Sequence, residues 1–235
     1  MTKPATSDQQ PATKLGAKEL RVSQPTRSDL VKIKRRDVFI ICDNVLDTYN
    51  IGSIFRLADA VAAKCVFLCG QSETPPNSRI SKAAVGTEKW VPWQYASTAV
   101  EAIADVRKRH SRLDRESRSI DSRFRGNDME DSEPLDVIAS VAKQSNKKIA
   151  TDSSNPHNDK SKLRIVAIEQ GKGSVDFRKV KFRKPVAFIV GHETGGVSKE
   201  ALKLVDQIVE IPMFGVNESL NVMVSLAIVV YQAIG

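Results

Sequence analysis

Polar side chains stand at the start of an apolar segment near the end of the chain, where a buried helix is expected. In VEIPMFGVNESLNVMVSLAIVVYQAIG, residues 209–235, Asn217, Glu218, Ser219 and Asn221 come directly before the apolar pattern. Polar groups that are buried without partners cost free energy. These residues therefore either cap the helix or face a ligand, and the segment alone leaves both interpretations open.

A second loop, VGHETGGVSKEAL, carries residue types that allow a ligand to approach the backbone closely. Gly191 directly follows an apolar strand, and Gly195 and Gly196 permit positive φ or close contact. The spacing fits neither a Walker loop nor a dinucleotide fingerprint. The alternative is a plain strand-to-helix turn with Ser198 as N-cap. His192 is expected to be a satisfied loop residue rather than a catalyst.

A third loop, DNVLDTYN, leads into the helical pattern IGSIFRLADA. Asn50 precedes the helix where an N-cap would stand. Arg56 lies in the apolar part of the helix, and an arginine there is seldom left unpaired. We expect it to contact a carboxylate, a phosphate or a backbone carbonyl, and a salt bridge to Asp59 or to a neighbour on the surface face is the structural alternative.

The elements that position these loops alternate between strands and helices. The strands DVFIICDNV, KCVFLCG, LRIVAIEQ and PVAFIVG are near-continuous apolar runs. Such runs predict an α/β fold, with a mostly parallel sheet covered by helices on both faces. Ligands of such sheets bind beyond the carboxyl ends of the strands, and the three loops lie there.

Two segments do not follow this pattern. Residues 1–36 form a basic arm rich in Pro, Thr, Ser and Gln, which predicts disorder before a domain at 37–235. The domain is interrupted at 109–162 by a polar insertion, predicted to be disordered and external to the core. Its DSRFRGND and VIASVAKQS stretches resemble translated copies of a mobile bacterial repeat. A substrate-specificity element is the functional alternative.

Composition limits the function classes. The net charge of +8 and the pI near 9.4 favour a polyanionic partner such as nucleic acid, with lysine-protected strand edges as the alternative. No apolar run reaches the ~18 residues of a membrane span. Cys42, Cys65 and Cys69 lie in apolar runs, which predicts buried thiols and no metal site. A cytoplasmic location is expected.

Taken together, the three loops resemble the signature motifs of a known family. Asn50 and Arg56 in NIGSIFRLADA, then GHETGG, then EIPMFGVNESLNVMVSLAIVVYQ are similar to those of the SpoU/TrmH family. Members are RNA 2′-O-ribose methyltransferases that use S-adenosylmethionine. The third motif is the most specific, and the match spans residues 37–108 and 163–235 in the family's order and spacing.

The resemblance implies a SPOUT fold, in which the C-terminal segment forms a trefoil knot, although knots are rare among folds. It also implies a homodimer. Seven positions are implied to bind or shape the pocket for S-adenosylmethionine: Gly191, Ile211, Leu220, Glu193, Met213, Ser219 and Asn221.

The resemblance implies that Arg56 and Asn50 are the catalytic residues. A guanidinium is effectively always protonated, so we expect Arg56 to stabilise the developing alkoxide and to hold an adjacent phosphate. Asn50 would orient the same nucleotide. Leu57 replaces a threonine and Thr194 replaces a basic or Asn residue of the family, and both departures concern substrate contacts.

The expected partner is structured RNA, with tRNA favoured over rRNA because no large recognition domain accompanies the catalytic one. The alternative from another class is a non-catalytic RNA-binding or assembly protein that retains the fold. A nicotinamide-dependent enzyme fits the strand pattern but lacks its fingerprint. Trp90 and Trp93 could stack on bases, although packing in the core or an interface is the favoured interpretation.

Overall fold

The computed structural model describes residues 25–123 and 162–235, with side chains for all of these except 112–123. Most of the predicted arm and insertion lies outside these residues. The chain divides into two units, residues 1–34 and 35–235. In the first unit a short helix, α1 (Arg27–Lys32), is opened by a capping box between Thr26 and Asp29.

The second unit is built on seven strands. They are β1 (Arg36–Asp43), β2 (Ala63–Cys69), β3 (Trp93–Ala96), β4 (Arg164–Ile168), β5 (Val175–Asp176), β6 (Val186–Gly191) and β7 (Gln207–Glu210). They form one sheet in the order β3-β2-β1-β6-β4-β7-β5. Each neighbouring pair in the described residues is parallel, which confirms the predicted α/β class. The trefoil knot implied by the resemblance stays a prediction.

Helices cover both faces of the sheet, as predicted. They are α2 (Thr48–Ala60), α3 (Ser78–Ala84), α4 (Ala99–Arg123), α5 (Lys199–Leu202) and α6 (Val222–Ile234). Successive side chains of a strand alternate between the faces. Val38 and Ile40 of β1 therefore pack with α2, α3 and α6, whereas Phe39 and Ile41 pack with α4 and α5. The α2 helix, which carries the first motif, is thus held by a continuous core.

Two helix boundaries differ from the prediction. The α2 helix begins at Thr48 with Asp47 as N-cap, whose carboxylate accepts a hydrogen bond from the Tyr49 amide. The N-cap assignment of Asn50 is therefore wrong. The α4 helix does not end near Lys108 but continues to Arg123. That segment, residues 109–123, is polar, yet it contains neither Gly nor Pro and has five Arg residues, which favour helix.

The three cysteines are free and buried, as predicted. Burial raises the pKa of Cys65 to about 11 and that of Cys69 to about 12, and it also raises the pKa of Cys42. These thiols therefore stay protonated at neutral pH and are not nucleophiles. Within residues 25–123 and 162–235, no helix has both the length and the apolar character needed to cross a bilayer.

Gly52 sets the distance between α2 and α3. A Cβ at this position would lie 2.5 Å from the carbonyl oxygen of Ile80 and 2.6 Å from the Cβ of Ala83. We expect Gly52→Ala to lower the free energy of unfolding by about 1–3 kcal/mol, despite the gain in helix propensity of about 1 kcal/mol. Urea denaturation measures this.

Gly171→Ala is the matched control, because nothing lies within 4 Å of a Cβ built there. Its free energy of unfolding should stay within about 0.5 kcal/mol of the wild type. Equal stability of the two variants would contradict the close helix contact at Gly52.

Candidate functional site

A cavity of about 510 Å³ opens beyond the carboxyl ends of β4, β6 and β7. This volume lies within the range of about 300–1,000 Å³ that is typical of small-molecule sites. Its lining includes all seven residues for which the resemblance implied cofactor contacts: Gly191, Glu193, Ile211, Met213, Ser219, Leu220 and Asn221. The structure therefore brings the second and third loops together at the edge of the sheet where ligands of parallel sheets bind.

The first loop joins this cavity through Asn50, which is 7% exposed. The Asn221 Nδ2 donates to the Asn50 Oδ1 at 2.9 Å. The Asn50 Nδ2 in turn donates to the Glu193 Oε1 at 3.1 Å. One buried amide thus links two residues that line the cavity, one from each of the other loops.

Asn221 has two functions, which answers the question raised by its position. Its Oδ1 accepts hydrogen bonds from the amides of Met223 and Val224 and so caps α6. Its Nδ2 is then free to contact Asn50. Asn217 does not cap the helix, because its Oδ1 accepts from the amide and hydroxyl of Ser219. The cap and ligand interpretations are therefore compatible.

Glu193 is the acceptor that ends this chain of hydrogen bonds. Besides Asn50, the backbone amides of Leu46 and Asp47 donate to its carboxylate at 3.2 and 3.1 Å. Partial burial raises the pKa of Glu193, but the hydrogen bonds from Asn50, Asp47 and Leu46 lower it by more, so the net shift is downward. The ionised carboxylate therefore holds the first loop against the second.

Gly191 is required by the shape of the second loop. His192 and Gly196 exchange two backbone hydrogen bonds of 3.0 and 2.8 Å, which folds the loop back on itself. A Cβ on Gly191 would lie 2.1 Å from the carbonyl carbon of Gly196. The His192 Nδ1 accepts from the amides of Thr194 and Gly195. The prediction that His192 is a satisfied loop residue is confirmed.

A fourth loop that the sequence analysis missed also lines the cavity. Glu169 and Gln170 follow β4 at the same edge of the sheet. The Glu169 carboxylate accepts from the Val197 amide at 2.8 Å and so fixes the end of the second loop. A polar Glu-Gln pair directly after the apolar run LRIVAI was the available signal.

Arg56 lies on the exposed side of α2 and does not line the cavity. Its neighbours Phe55 and Leu57 are buried in the core. In the described part of the chain its guanidinium has no ion pair or hydrogen bond. The alternative salt bridge to Asp59 is wrong, because the Asp59 carboxylate accepts from the Trp90 Nε1 at 2.7 Å.

The two departures from the family pattern differ in their surroundings. Leu57 is 7% exposed and packs in the core, so it offers no surface to a substrate. Thr194 is exposed, and its hydroxyl lies 3.1 Å from the His192 Nδ1. Trp90 and Trp93 pack against the core, which agrees with the favoured structural interpretation of this pair.

The lining of the cavity combines acidic and apolar groups. Four glutamate side chains contribute to it: Glu169, Glu193, Glu210 and Glu218. Apolar walls come from Ile168, Val190, Ile211, Met213 and Leu220. Such a lining suits a cationic ligand that also carries an apolar ring, and it repels phosphate. Among residues 25–123 and 162–235, no group of three or more His, Cys, Asp and Glu could hold a metal ion.

Comparisons with known proteins agree with these motifs. A sequence model of the SpoU rRNA Methylase family matches residues 37–133 and 138–231. Two curated relatives are tRNA (guanosine(18)-2′-O)-methyltransferases. The Aquifex aeolicus protein is 24% identical over 206 residues, 87% of this chain and 72% of that protein. The Escherichia coli protein is 25% identical over 216 residues, 89% of this chain and 69% of that protein.

A solved structure shares the fold. It is the SpoU methyltransferase AviRb from Streptomyces viridochromogenes in complex with the cofactor AdoMet. The TM-score is 0.59 at 21% sequence identity, and the match covers 88% of this chain and 63% of that chain.

We expect Glu193→Gln to lower the free energy of unfolding at pH 7 by about 1 kcal/mol. Hydrogen bonds to charged groups are worth about 1.5–3 kcal/mol, and solvent screening at this exposed carboxylate reduces that value. The pKa of folded Glu193 lies below its ordinary value of 4.5. The stabilisation is therefore complete above pH 4.5 and is lost as the pH falls through the folded pKa.

Urea denaturation of both proteins between pH 7 and pH 3 checks this. The difference in unfolding free energy between wild type and Glu193→Gln should shrink as the pH falls. Glu73→Gln is the control, because the exposed Glu73 carboxylate has no hydrogen bond in the described residues. A difference for Glu193→Gln that does not change with pH would contradict the role of the ionised carboxylate.

Proposed function

Because the chain belongs to the SpoU rRNA Methylase family, we propose that it transfers a methyl group from S-adenosylmethionine to a ribose 2′-hydroxyl of tRNA. Its enzyme class is RNA 2′-O-ribose methyltransferase. The cavity that unites the second and third motifs, tied to the first by Asn50, is the observation that carries the proposal. The two relatives named above, which act on tRNA, support tRNA over rRNA as the substrate. A tRNA substrate implies a cytoplasmic location.

The cavity residues fit S-adenosylmethionine by size and by charge. When bound, this cofactor supplies a methyl group that the positive charge of its sulfonium activates. The acidic lining favours that charge, and Ile211, Met213 and Leu220 offer apolar contacts for an adenine ring. The close packing at Gly191 leaves backbone groups of the second loop at the cavity wall. These residues bind and orient the cofactor and exclude water from it.

Arg56 acts on the RNA. A guanidinium cannot take the proton of the 2′-hydroxyl, because it stays protonated. It stabilises the negative charge that develops on the 2′-oxygen, and it holds the adjacent phosphate, whose oxygen accepts the proton. The exposure of Arg56 and the absence of a protein partner in the described residues support this role.

Asn50 acts as a positioning residue for the same nucleotide. Its amide is buried, and it is engaged by Asn221 and Glu193. It therefore places α2, and with it Arg56, relative to the cavity. Preorganisation of this kind contributes to rate because reacting groups are held near their productive geometry.

We place a second copy of the chain on α6. Val224, Ile228 and Tyr231 recur at helical spacing and are 38%, 36% and 54% exposed. A stripe of this kind on a helix that buries Leu226, Val229 and Val230 against the core indicates a surface that another molecule covers. Val222 and Ser225 of the same helix line the cavity. A homodimer formed here would bring its partner next to the cofactor site.

The alternative of a non-catalytic RNA-binding protein receives less support. A protein that only binds RNA does not need a cavity of cofactor size. Nor does it need an exposed arginine such as Arg56 on a helix whose other side is buried. Both features are retained in this chain. Affinity for S-adenosylmethionine separates the two functions, because only the enzyme must bind it.

We expect Arg56→Ala to reduce methyl transfer to tRNA about 10²- to 10³-fold, by analogy with the loss of an oxyanion donor. Affinity for S-adenosylmethionine should stay at the wild-type value, because Arg56 does not line the cavity. Transfer of radiolabelled methyl to an unmodified tRNA transcript and isothermal titration calorimetry measure the two quantities.

Arg79→Ala is the matched control, since Arg79 is an exposed arginine on the neighbouring helix α3. It should retain wild-type turnover. Near-normal turnover of Arg56→Ala would refute the role given to Arg56. Absence of transfer by the wild type to both tRNA and rRNA would refute the proposed enzyme activity.

We expect Ile228→Asp to convert the dimer into monomers, because the interface would bury an unpaired charge. Sedimentation velocity of the wild type and the variant measures the change. Gln71→Asp adds the same charge to an exposed polar position after β2, outside α6, and should leave the dimer intact. A wild type that sediments as a monomer would contradict the homodimer.

A further inference from the structure

Phe214 is an exposed aromatic side chain beside the cavity. It is 86% exposed and directly follows Met213, which lines the cavity. Single exposed apolar residues are common on protein surfaces, so exposure alone indicates nothing. Phe214, however, lies against an arginine side chain that is itself held by a carboxylate.

The arginine that Phe214 contacts is Arg178, and its guanidinium carbon lies 5.9 Å from the centroid of the Phe214 ring. We call these two residues the Phe214–Arg178 pair. The Asp176 carboxylate fixes this guanidinium, with an Nη2–Oδ2 distance of 2.7 Å and an Nε–Oδ1 distance of 3.0 Å. These hydrogen bonds lower the pKa of Asp176 to about 2, so the contact persists at neutral pH. An exposed ion pair contributes little stability, and its effect here is to orient the guanidinium plane.

The pair stands at the carboxyl edge of the sheet. Asp176 of β5 lies opposite Glu210 of β7 in the strand register, and Glu210 lines the cavity. Phe214 and Arg178 therefore lie in the segments that follow two neighbouring strands, beside the cavity. A molecule whose reacting group enters the cavity would extend over them.

A basic segment, residues 178–184, continues from this pair. Three apolar side chains in and beside it pack against the core: Phe177, Val180 and Phe182. Five basic side chains are exposed: Arg178, Lys179, Lys181, Arg183 and Lys184. Seven residues reach at most about 25 Å when extended, which is long enough to contact several successive phosphates.

Charge separates the basic segment from the cavity. Four glutamate side chains line the cavity, so phosphates are repelled from it and attracted to residues 178–184. Exposed aromatic and guanidinium planes bind bases by stacking, because every base offers a π face. Together they form a surface for unpaired nucleotides with a backbone next to them.

We propose that Phe214, oriented beside Arg178, stacks on a base of the RNA substrate next to the methylated nucleotide, and that residues 178–184 bind the adjoining phosphates. The proposal rests on the proposed function, because it takes RNA as the ligand. It makes Phe214 a positioning residue that determines which unpaired base can stand beside the reacting ribose.

The test compares Phe214→Ala with Val216→Ala in the full chain. Val216 is 102% exposed in the same loop, so it is a matched apolar control. The dissociation constant for an unmodified tRNA transcript is measured by fluorescence anisotropy. For Phe214→Ala, the loss of one stacked base should raise this dissociation constant about 5- to 150-fold. Phe214→Trp should restore binding, and Val216→Ala should match the wild type.

Methyl transfer adds a second readout. In Phe214→Ala the KM for tRNA should rise with little change in kcat, since the ring contributes binding and not chemistry. Affinity for S-adenosylmethionine should be unchanged in all three variants. A merely structural role would instead lower the melting temperature and would not be rescued by Phe214→Trp.

Three outcomes would overturn the proposal. They are an unchanged dissociation constant for Phe214→Ala, an equal loss for Val216→Ala, and conversion of Phe214→Ala from dimer to monomer in sedimentation velocity. The last outcome would show that the Phe214 ring contributes to the dimer interface and not to RNA binding. The binding assay needs no methyl transfer. Absence of transfer by the wild type would thus refute the proposed function, while the anisotropy result would still decide the role of Phe214.

Discussion

The site depends on the fixed direction of the hydrogen bonds around Asn50. An asparagine amide has one acceptor and one donor end. Because the acceptor of Asn221 is occupied by the amides at the start of α6, its donor must face Asn50. The donor of Asn50 must then face Glu193. A buried polar group without a partner costs about 1–3 kcal/mol, so the buried amide of Asn50 cannot turn without loss. The three loops are therefore held in one arrangement.

The surface around these three loops has regions of opposite charge, which favour different ligands. The acidic, partly apolar cavity favours a cation and rejects phosphate. Arg56 stands outside it on α2 with no partner in the described residues, and the exposed basic side chains of residues 178–184 lie beside the edge strand β5. An RNA backbone is thus attracted around the cavity but not into it. Under the proposed function, this separation gives a cationic cofactor and a polyanionic substrate adjacent but distinct sites.

Tertiary packing changes the meaning of several motif residues. Leu57 looked like an altered substrate contact, but it is a residue of α2 that packs in the core. Asn50 looked like a helix cap, but Asp47 caps α2 and Asn50 stands one turn further on, turned toward α6. The helix begins at Thr48, three residues earlier than the apolar pattern IGSIFRLADA suggests, so Asn50 lies inside its first turn. For Asn50, this boundary error is enough to mistake a buried helical residue for an N-cap.

The sequence by itself determined the sheet, its parallel strands and the edge where the motif loops gather. These follow from apolar runs and their alternation with helices, which are local properties of the chain. The pairing of Asn50 with Asn221, which are 171 positions apart, and the contact of Phe214 with Arg178 were decided only by the tertiary structure. No local pattern contains them, because each depends on which strands become neighbours and on which donors remain unpaired once the helices are capped.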